Sequence, residues 1–426
     1  MDGTVIESQS AVEDTVDREA GMDERAAAVA DDPRFVGPDA HADVSVIVVS
    51  HNSGRDLGRL VASLREEASA QRLRVVVVDN ASTDDTLEWA RSVDDLVVVE
   101  SGGNLGYAGG INVALGHVGD AEAVLVLNPD LVVESGCVAA LRTRLAESGA
   151  GVVVPRYLDG DEVFTSLRRE PSVLRALGDS IFGERFSRRS GVLSEWVLDR
   201  ADYAHPHEVE WATGAALLID ADVARLAGEW DERFFLYSEE TDYFRRVREL
   251  GRSVWYEPEA VVRHERGGSG RSVDLDRLVT VNRVRYFRKH HGRLGSAAFH
   301  AVTVLHQAVR AYSATYRPLL AAVVDESSWA SLPRAYRVAS AEQIARARGS
   351  VVVDARGSAP DSREEAVERT LRALAPFEQG RHCASSSSTT SGGRTSRRTL
   401  PRTVPRRPGG SRACPPGGRR RRLGRV

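Results

Sequence analysis

An α/β fold built on a mostly parallel sheet is the class that this sequence predicts, because short apolar runs alternate with helical patterns through its first half. Four runs of strand type, each followed by a polar or glycine-rich segment, occupy residues 44–49, 73–78, 96–99 and 123–127. Unbroken apolar runs are typical of strands buried on both faces of a sheet. Ligands of such sheets bind at the carboxyl ends of the strands, so we expect the functional site there.

The remaining elements are predicted from spacing and capping. Apolar residues at positions 57, 60, 61 and 64 repeat with the period of a helix. Ser82 or Thr83 is expected to cap a second helix, with Asp84 and Asp85 in its first turn. For the less regular second half we predict strands at 153, 215–219, 254–256 and 260–262, and helices over 239–250, 275–291, 296–324 and 363–376.

The composition indicates a protein with a sizeable core. Its 426 residues are 42% hydrophobic and 28% charged, and the mean hydropathy is −0.29. No apolar run approaches the ~20 residues of a membrane-spanning helix, and we find no signal-peptide pattern. Three cysteines without metal-binding spacing argue against a disulfide scaffold or a zinc cluster and suit a reducing compartment. We therefore expect a cytoplasmic protein.

Charge is distributed unevenly along the chain. The formal net charge is −4, but residues 381–426 carry 13 arginines and no acid, which leaves −17 for residues 1–380. An acidic body argues against nucleic acid as a partner. We interpret 1–43 as an acidic disordered leader and 381–426 as a disordered Arg/Pro/Ser-rich tail. The tail is either the product of out-of-frame reading of a GC-rich gene or a basic arm for an anionic membrane.

Three segments at predicted strand ends could hold a ligand. Asp79 could accept hydrogen bonds from a nucleobase or a ribose, or it could belong to a helix-capping loop. The glycine-rich segment 104–112 opens a helix and could admit a diphosphate, although a lone glycine-rich loop is weak evidence. Asn128-Pro129-Asp130 offers one carboxylate to a divalent cation, or forms a turn.

The sharpest pattern is the segment 234–243, in which three acids follow an aromatic stretch: Glu239, Glu240 and Asp242. These acids could cap the following helix, or one could be a general base poised by apolar neighbours. His264 ends a predicted strand, where a lone histidine is more often structural than a ligand. The basic run 283–291 is either a solvated helix face or a surface for an anionic membrane.

Seven ordered blocks between residues 44 and 292 give the chain a resemblance to a known family. They read VSVIVVSHN, VVVDNASTDDT, GGNLGYAGGIN, VLVLNPDL, WATGAALLI, WDERFFLYSEETDYFRRVRELG and VVRHERGGSGR. In these blocks the chain resembles glycosyltransferase family 2, inverting transferases of the GT-A fold, and in particular its rhamnosyltransferase-like members. The resemblance implies a GT-A domain over 44–292, with a mixed, mostly parallel sheet flanked by helices, and a helical C-terminal extension over 293–380.

The resemblance also implies roles by position. Glu240 stands where the family has its catalytic base, although many members have aspartate there. Asp130 and His264 stand where it has ligands of Mg²⁺ or Mn²⁺, although Asn128 replaces the first acid of the D-x-D motif. Contacts with the nucleotide sugar fall on Ser50, His51, Asn52, Asp79, Asn104, Gly106, Asn112 and Asn128. The acceptor side falls on Trp211, Thr213, Gly214, Glu239 and Asp242.

The implied activity is that of a metal-dependent, inverting glycosyltransferase. It would move a sugar, with rhamnose suggested by the resemblance, from a nucleotide-diphosphate donor to a glycan or polyprenyl-diphosphate-linked acceptor in cell-surface polysaccharide or glycoconjugate synthesis. Peripheral contact with the cytoplasmic membrane face stays open. Two alternatives also stay open. The first is a catalytically degenerate nucleotide-sugar-binding protein, against which the joint presence of Asp130, Glu240 and His264 argues. The second is a sugar nucleotidyltransferase, which would need a glycine-rich and basic signature near the first strand; the segment found there, VSHNSGRDLG, lacks that signature.

Overall fold

The predicted strands form in the computed structural model, which describes residues 33–187, 191–264 and 272–337. Twelve strands occur in these ranges: β1 (Val44–Ser50), β2 (Leu73–Asp79), β3 (Val97–Glu100), β4 (Ala123–Leu127), β5 (Leu131–Val133), β6 (Val152–Asp159), β7 (Glu162–Phe164), β8 (Leu167–Arg168), β9 (His207–Glu208), β10 (Trp211–Ala212), β11 (Ala216–Asp220) and β12 (Val254–His264). The strands at 254–256 and 260–262 are one strand, β12, with a register shift between Glu257 and Val261.

Ten of the described strands form one sheet, whose main path runs β3-β2-β1-β4-β11-β6-β12-β5, with β7 beside β6 and β9 beside β12. The three long pairings β1–β2, β1–β4 and β6–β12 are parallel, whereas β11 runs antiparallel between β4 and β6. The mixed, mostly parallel sheet is therefore confirmed. β8 and β10 pair separately.

Helices cover both faces of the sheet. In the described ranges they are α1 (Gly54–Ala68), α2 (Thr86–Ser92), α3 (Gly106–Leu115), α4 (Cys137–Ser148), α5 (Val173–Ser187), α6 (Ala221–Ala227), α7 (Glu239–Glu249), α8 (Val273–His290), α9 (Arg293–Ala308) and α10 (Tyr316–Val324). Since side chains alternate along a strand, Val46 and Val48 of β1 pack with α1 and α4, whereas Ile47 and Val49 pack with α3 and α7.

Two helices differ from their predictions. α2 begins at Thr86, because the residues expected to cap it are bound elsewhere: Ser82 and Thr83 hydrogen-bond to Asn52. The helix predicted over 296–324 is two helices, α9 and α10. Pro318 lies in the first turn of α10, the only part of a helix where its missing N–H and its ring are tolerated, so one helix cannot run through it.

The predicted leader is described only from residue 33 onward. Order begins before Val44: Val36 N donates to Leu73 O at 2.8 Å, and the buried Phe35 ring lies 4.0 Å from the Arg65 guanidinium carbon. Packing against β2 and α1 thus fixes residues 33–43, contrary to the predicted leader. Residues 1–32, the helix predicted over 363–376 and the tail 381–426 lie outside the described residues.

The described part of the C-terminal extension packs on the sheet-bearing region. The rings of Phe287 in α8 and Phe299 in α9 stack with centroids 4.1 Å apart. Tyr336 N donates to Asn104 O at 2.9 Å, so the chain returns to the glycine-rich segment. All described residues fall within one compact unit, Met1–Val367; the predicted boundary at 292/293 stays a prediction. Among the described helices, none has the length and apolarity needed to cross a membrane.

Candidate active site

The carboxyl ends of β1 and β2 lie side by side at one edge of the sheet. Ser50 pairs in register with Asp79, and both side chains are buried. Asp79 Oδ2 accepts a hydrogen bond from Ser82 N at 3.1 Å, whereas Asp79 Oδ1 is buried without a hydrogen-bond partner among the described residues. A buried carboxylate oxygen without a donor is costly. Asp79 therefore retains the capacity to bind one donor group of a ligand.

Two loops at this edge are held together through Asn52. Its φ is 55°, its Oδ1 accepts from Thr83 N at 2.7 Å, and its N–H donates to Ser82 Oγ at 3.0 Å. His51 Nδ1 lies 2.9 Å from Asn80 O. An open cleft of about 800 Å³ lies beside these loops, lined by residues 52–56, Asp84 and Asp85. The His51 and Asn52 side chains thus fix the loops beside the cleft through hydrogen bonds.

The glycine-rich segment is shaped by close packing inside the protein. Gly106 has φ 73°, and a Cβ there would lie 2.2 Å from Phe235 O. Asn104 Oδ1 accepts from Gly106 N at 3.0 Å and from Asn80 Nδ2 at 3.2 Å. Asn80 Oδ1 in turn accepts from Leu105 N at 2.9 Å. Glycine is required at 106 by this contact and by its backbone conformation.

Two further predicted donor-side residues have defined places. The Asn112 side chain bonds to both backbone groups of Trp230, at 2.9 Å to its O and 2.8 Å from its N, and lies 3.1 Å from Glu232 Oε1. Its amide is therefore occupied within the protein. Asn128 follows β4, and its N–H donates to Ala215 O at 2.8 Å. Their roles toward a nucleotide sugar stay predictions.

Asp130 and His264 meet although 134 positions separate them. β5 pairs with β12 so that Leu131 faces His264, and Asp130 Oδ2 lies 3.3 Å from His264 Nε2. Asp130 is only 9% exposed, and in the part of the chain that the structure describes its Oδ1 is buried without a hydrogen-bond partner. Burial raises the pKa of Asp130, and the facing imidazole opposes that shift. A carboxylate with an unsatisfied oxygen beside an imidazole fits a divalent cation that shares its other ligands with phosphates.

A different cluster of possible metal ligands lies at the opposite edge of the sheet. His41, Asp43 and Glu122 place one ligand atom each within 4.8 Å of one another. Asp43 directly precedes β1 and Glu122 directly precedes β4, at the amino ends of both strands. Asp43 is also paired with Arg72 at 2.8 Å. This cluster is therefore separate from the edge that carries Asp79 and Asp130.

Glu240 lies in the first turn of α7 and packs against Gly214. A Cβ on Gly214 would lie 2.8 Å from Glu240 Cβ, so the absence of a side chain makes room for this glutamate. Burial raises the pKa of Glu240 to about 7, although backbone N–H groups and the Arg168 guanidinium favour its charged form. Its Oε2 has no hydrogen-bond partner within the described ranges. Burial and the Glu240 carboxylate also raise the pKa of Glu239 well above its usual value.

The Tyr107 hydroxyl lies near both the predicted base and the predicted metal ligand. Tyr107 is nearly buried, and its OH donates to Gly214 O at 3.0 Å. Burial raises the pKa of Tyr107 well above its usual value, and the carboxylates of Glu239, Glu240 and Asp130 raise it further. One buried hydroxyl therefore lies within electrostatic reach of all three acids.

A small cavity of about 120 Å³ adjoins Glu240 on the predicted acceptor side. Its lining includes Trp211, Tyr237, Glu240 and Arg283. Trp211 Nε1 donates to Arg169 O at 2.9 Å, which fixes the indole ring. Thr213 N donates to Ser166 O at 3.1 Å, so the backbone at 211–214 is held from both sides.

The family match falls on the donor side of the candidate site. Residues 45–194 match the family described as Glycosyl transferase family 2. These residues belong to glycosyl transferase family 2. The predicted family is thereby confirmed for this part of the chain, and the sheet topology agrees with the predicted GT-A fold.

Two curated relatives of this chain are informative. Over 213 residues, 48% of this chain and 62% of the relative, it is 31% identical to the low-salt glycan biosynthesis hexosyltransferase Agl10 of Haloferax volcanii. Over 240 residues, 53% of this chain and 76% of the relative, it is 29% identical to the N-acetylglucosaminyl-diphospho-decaprenol L-rhamnosyltransferase of Mycobacterium tuberculosis. The chain thus spans less than two thirds of the Haloferax protein.

Solved structures of similar shape are more remote. The mannosyltransferase PcManGT from Pyrobaculum calidifontis, in complex with GDP-Man and Mn²⁺, is 19% identical with a TM-score of 0.38 over 83% of this chain and 87% of that one. S. aureus TarS 1-349 with UDP-GlcNAc is 15% identical with a TM-score of 0.40 over 78% and 92%. Likenesses this remote say nothing about a donor or a metal of this chain.

Asp242 has a structural role, because it binds positive groups inside the protein. It is fully buried, and its carboxylate lies 2.6 Å from Lys289 Nζ, 2.7 Å from His290 Nε2 and 2.9 Å from Arg246 Nε. Lys289 and His290 tie α7 to the end of α8, whereas Arg246 lies one turn further along α7. Neighbouring positive groups outweigh burial and lower the pKa of Asp242. The acceptor role predicted for Asp242 stays a prediction, but its oxygens are already occupied.

The basic run 283–291 is largely neutralised within the fold. Arg283 pairs with Glu195 at 2.7 Å and Arg288 with Glu326 at 2.6 Å, while Lys289 and His290 bind Asp242. The described structure gives no support to membrane contact through this run. Sequence reasoning also missed Asn80, which joins the β2 loop to the glycine-rich segment; its position next to Asp79 was the only signal.

Proposed function

We propose that this glycosyltransferase transfers a hexose, with rhamnose as the first candidate, from a nucleoside-diphosphate sugar to a hydroxyl group of a glycan or polyprenyl-diphosphate-linked acceptor. The observation that carries the proposal is Glu240: a half-buried glutamate beside a cavity, with its pKa raised to about 7 and a buried Oε2 that has no hydrogen-bond partner among the described residues. The names of the two relatives support a hexose, and the mycobacterial one supports rhamnose and a lipid diphosphate.

The transfer step needs a base on the acceptor side. Glu240 would take the proton of the acceptor hydroxyl as its oxygen attacks the anomeric carbon from the face opposite the leaving diphosphate. A base whose pKa lies near neutrality combines a usable ionised fraction with enough basicity to draw the proton. The reaction would then invert the configuration in one displacement, with no covalent intermediate on the protein.

The donor would lie at the carboxyl edge of β1, β2 and β4. Asp79 Oδ1 can accept a hydrogen bond from a nucleobase N–H or a ribose hydroxyl. Asp130 and His264 would hold Mg²⁺ or Mn²⁺. When bound there, a divalent cation supplies positive charge that neutralises the leaving diphosphate.

A nucleotide-sugar panel tests the proposal. Each candidate donor is added with Mg²⁺ or Mn²⁺, and the melting temperature is recorded, because a ligand that binds only the folded protein raises stability by mass action. The stabilising donors are then incubated with N-acetylglucosaminyl-diphospho-lipid analogues, and nucleoside diphosphate and pyrophosphate are measured separately.

Each result of the panel has a defined reading. Release of nucleoside diphosphate together with a glycosylated acceptor supports the proposal. Stabilisation without turnover on any acceptor would indicate a degenerate nucleotide-sugar-binding protein. Release of pyrophosphate from a nucleoside triphosphate and a sugar phosphate would indicate a nucleotidyltransferase.

A further inference from the structure

The loop before α7 has a strained backbone. Phe235, Tyr237 and Ser238 have φ values of 64°, 69° and 71°, which residues with a Cβ rarely adopt. Leu236 N donates to Phe234 O at 2.7 Å, and Phe235 between them has ψ −61°. This is a γ-turn of the rare form with positive φ. Such a backbone persists only where its surroundings hold it.

The side chain of Asn282, from α8, holds this loop. Asn282 is fully buried, and its Nδ2 lies 2.7 Å from Phe234 O, 2.9 Å from Leu236 O and 3.0 Å from Tyr237 O. Its Oδ1 accepts from Arg285 Nη1 at 3.0 Å, so the amide nitrogen faces the loop. Two N–H groups thus serve three carbonyls whose convergence the strained turn creates.

The loop 234–238 lies between the predicted donor side and the predicted acceptor side of the candidate site. Phe235 O accepts a hydrogen bond from Tyr107 N at 2.7 Å, at the start of α3 and within the glycine-rich segment. Ser238 directly precedes the first turn of α7, which carries Glu240. A change in the 234–238 backbone would therefore move the start of α7 relative to the donor side.

We propose that Asn282 is a positioning residue of the transfer reaction: by gathering the carbonyls of Phe234, Leu236 and Tyr237, it keeps the strained loop in the conformation that aims Glu240 at the acceptor. Asn282 touches no substrate and acts only through the loop. The inference rests on the proposed role of Glu240 as the base.

The first test compares Asn282→Ala with a control from the same helix. Thr280→Ala removes a buried hydroxyl that donates to Asp276 O at 2.9 Å, within α8 and away from the loop. We expect Asn282→Ala to lower kcat by at least ~10-fold while KM for the donor changes less than ~3-fold, because only the orientation of the base is lost. Thr280→Ala should keep kcat within ~2-fold. Equal kcat values for the two variants would overturn the proposal.

A double-mutant cycle separates positioning from general loss of structure. Adding Asn282→Ala to Glu240→Gln should lower the residual turnover less than ~2-fold, because no base remains to be aimed. If Glu240→Gln itself is impaired and Asn282→Ala lowers turnover by the same factor in the wild type and in Glu240→Gln, the positioning role of Asn282 is overturned while the proposed base stands. Normal turnover of Glu240→Gln would overturn the proposed base and, with it, this inference.

A milder variant covers the case in which Asn282→Ala does not fold. Arg285→Met removes the donor to Asn282 Oδ1 and leaves the amide in place but free to turn. We expect a smaller loss of kcat, about 3-fold, that disappears in the Glu240→Gln background. Wild-type kcat in Arg285→Met, at an unchanged melting temperature, would mean that amide orientation does not matter and would overturn the proposal.

Discussion

Two buried aspartates, one on the predicted donor side and one on the predicted acceptor side of the candidate site, differ in how many of their oxygens the protein binds. Asp79, at the end of β2, keeps one buried carboxylate oxygen without a partner. Asp242, in α7, gives its oxygens to Lys289, His290 and Arg246. Both are acids in blocks that resemble the family, so sequence position does not distinguish them. The hydrogen-bond inventory does, since a buried oxygen that the protein leaves unsatisfied is available to a ligand.

The same contrast holds for the surrounding backbone. The donor side is built on parallel strands whose ends meet because the sheet is regular. The loop before Glu240 is instead held in a strained form by the side chain of Asn282, which lies 45 to 48 positions after the loop residues that it binds. One half therefore depends on local pattern and the other on distant contacts.

The largest effect is expected from the donor side. Asp130→Ala should abolish turnover and remove the metal-dependent part of the stabilisation by nucleotide, because the leaving diphosphate loses its counter-charge. The measurement is the melting temperature with nucleoside diphosphate, with and without Mg²⁺ or Mn²⁺. Glu134→Gln is a suitable control, since Glu134 lies just beyond β5 and pairs with Arg263. Metal-dependent stabilisation that persists in Asp130→Ala would reassign Asp130 to a turn.

The next effect is on the acceptor side. Glu240→Gln keeps shape and hydrogen bonding but cannot accept a proton at neutral pH, so turnover should fall by at least ~10²-fold. Nucleotide stabilisation should persist, because the substitution leaves the donor loops intact. Steady-state turnover with the donor found by the panel is the measurement, and Glu239→Gln is the matched variant. A larger loss in Glu239→Gln than in Glu240→Gln would transfer the role to Glu239.

A direct comparison of the two aspartates follows in size. Asp242→Ala leaves three positive groups without their shared partner and should lower the free energy of unfolding by about 3 kcal/mol or more. Asp79→Ala loses one hydrogen bond to Ser82 N and should cost about 1 kcal/mol. Denaturant unfolding measures both. Nucleotide stabilisation should vanish in Asp79→Ala and persist in Asp242→Ala; the reverse pattern would contradict the assignment of binding to the donor side.

Much of the donor side could be predicted from the sequence. Apolar runs locate β1, β2 and β4 to within a residue or two, and a parallel sheet then brings Ser50 and Asp79 together. The pairing of Asp130 with His264 came from the resemblance. The sequence alone contains no local signal for it, because it depends on the antiparallel placement of β5 beside β12.

The rest depends on contacts that no local pattern encodes. Asn282 gives no sign of its partners, since positive φ at Phe235, Tyr237 and Ser238 contradicts their intrinsic preferences. Asp242 belonged to the same acidic cluster as Glu240, and only burial beside Lys289 and His290 separates them. Backbone strain and buried ion pairs are tertiary properties. The sequence could therefore predict which chemical groups are present, but not which of them are already bound to other groups within the fold.

The smallest expected effect concerns pH and again isolates Glu240. Burial raises the pKa of Glu240 to about 7 in the folded protein. As pH rises from about 4.5, the Glu240 carboxyl therefore loses its proton at a lower pH in the unfolded chain than in the folded protein. Between that pH and about 7 the folded state binds more protons, so stability falls with rising pH and then levels off. Glu240→Gln lacks this loss. Its melting temperature should match the wild type near pH 4.5 and exceed it by a few degrees at pH 8. The exposed Glu66→Gln serves as control; a difference independent of pH would mean that Glu240 is already charged throughout this range in the folded protein.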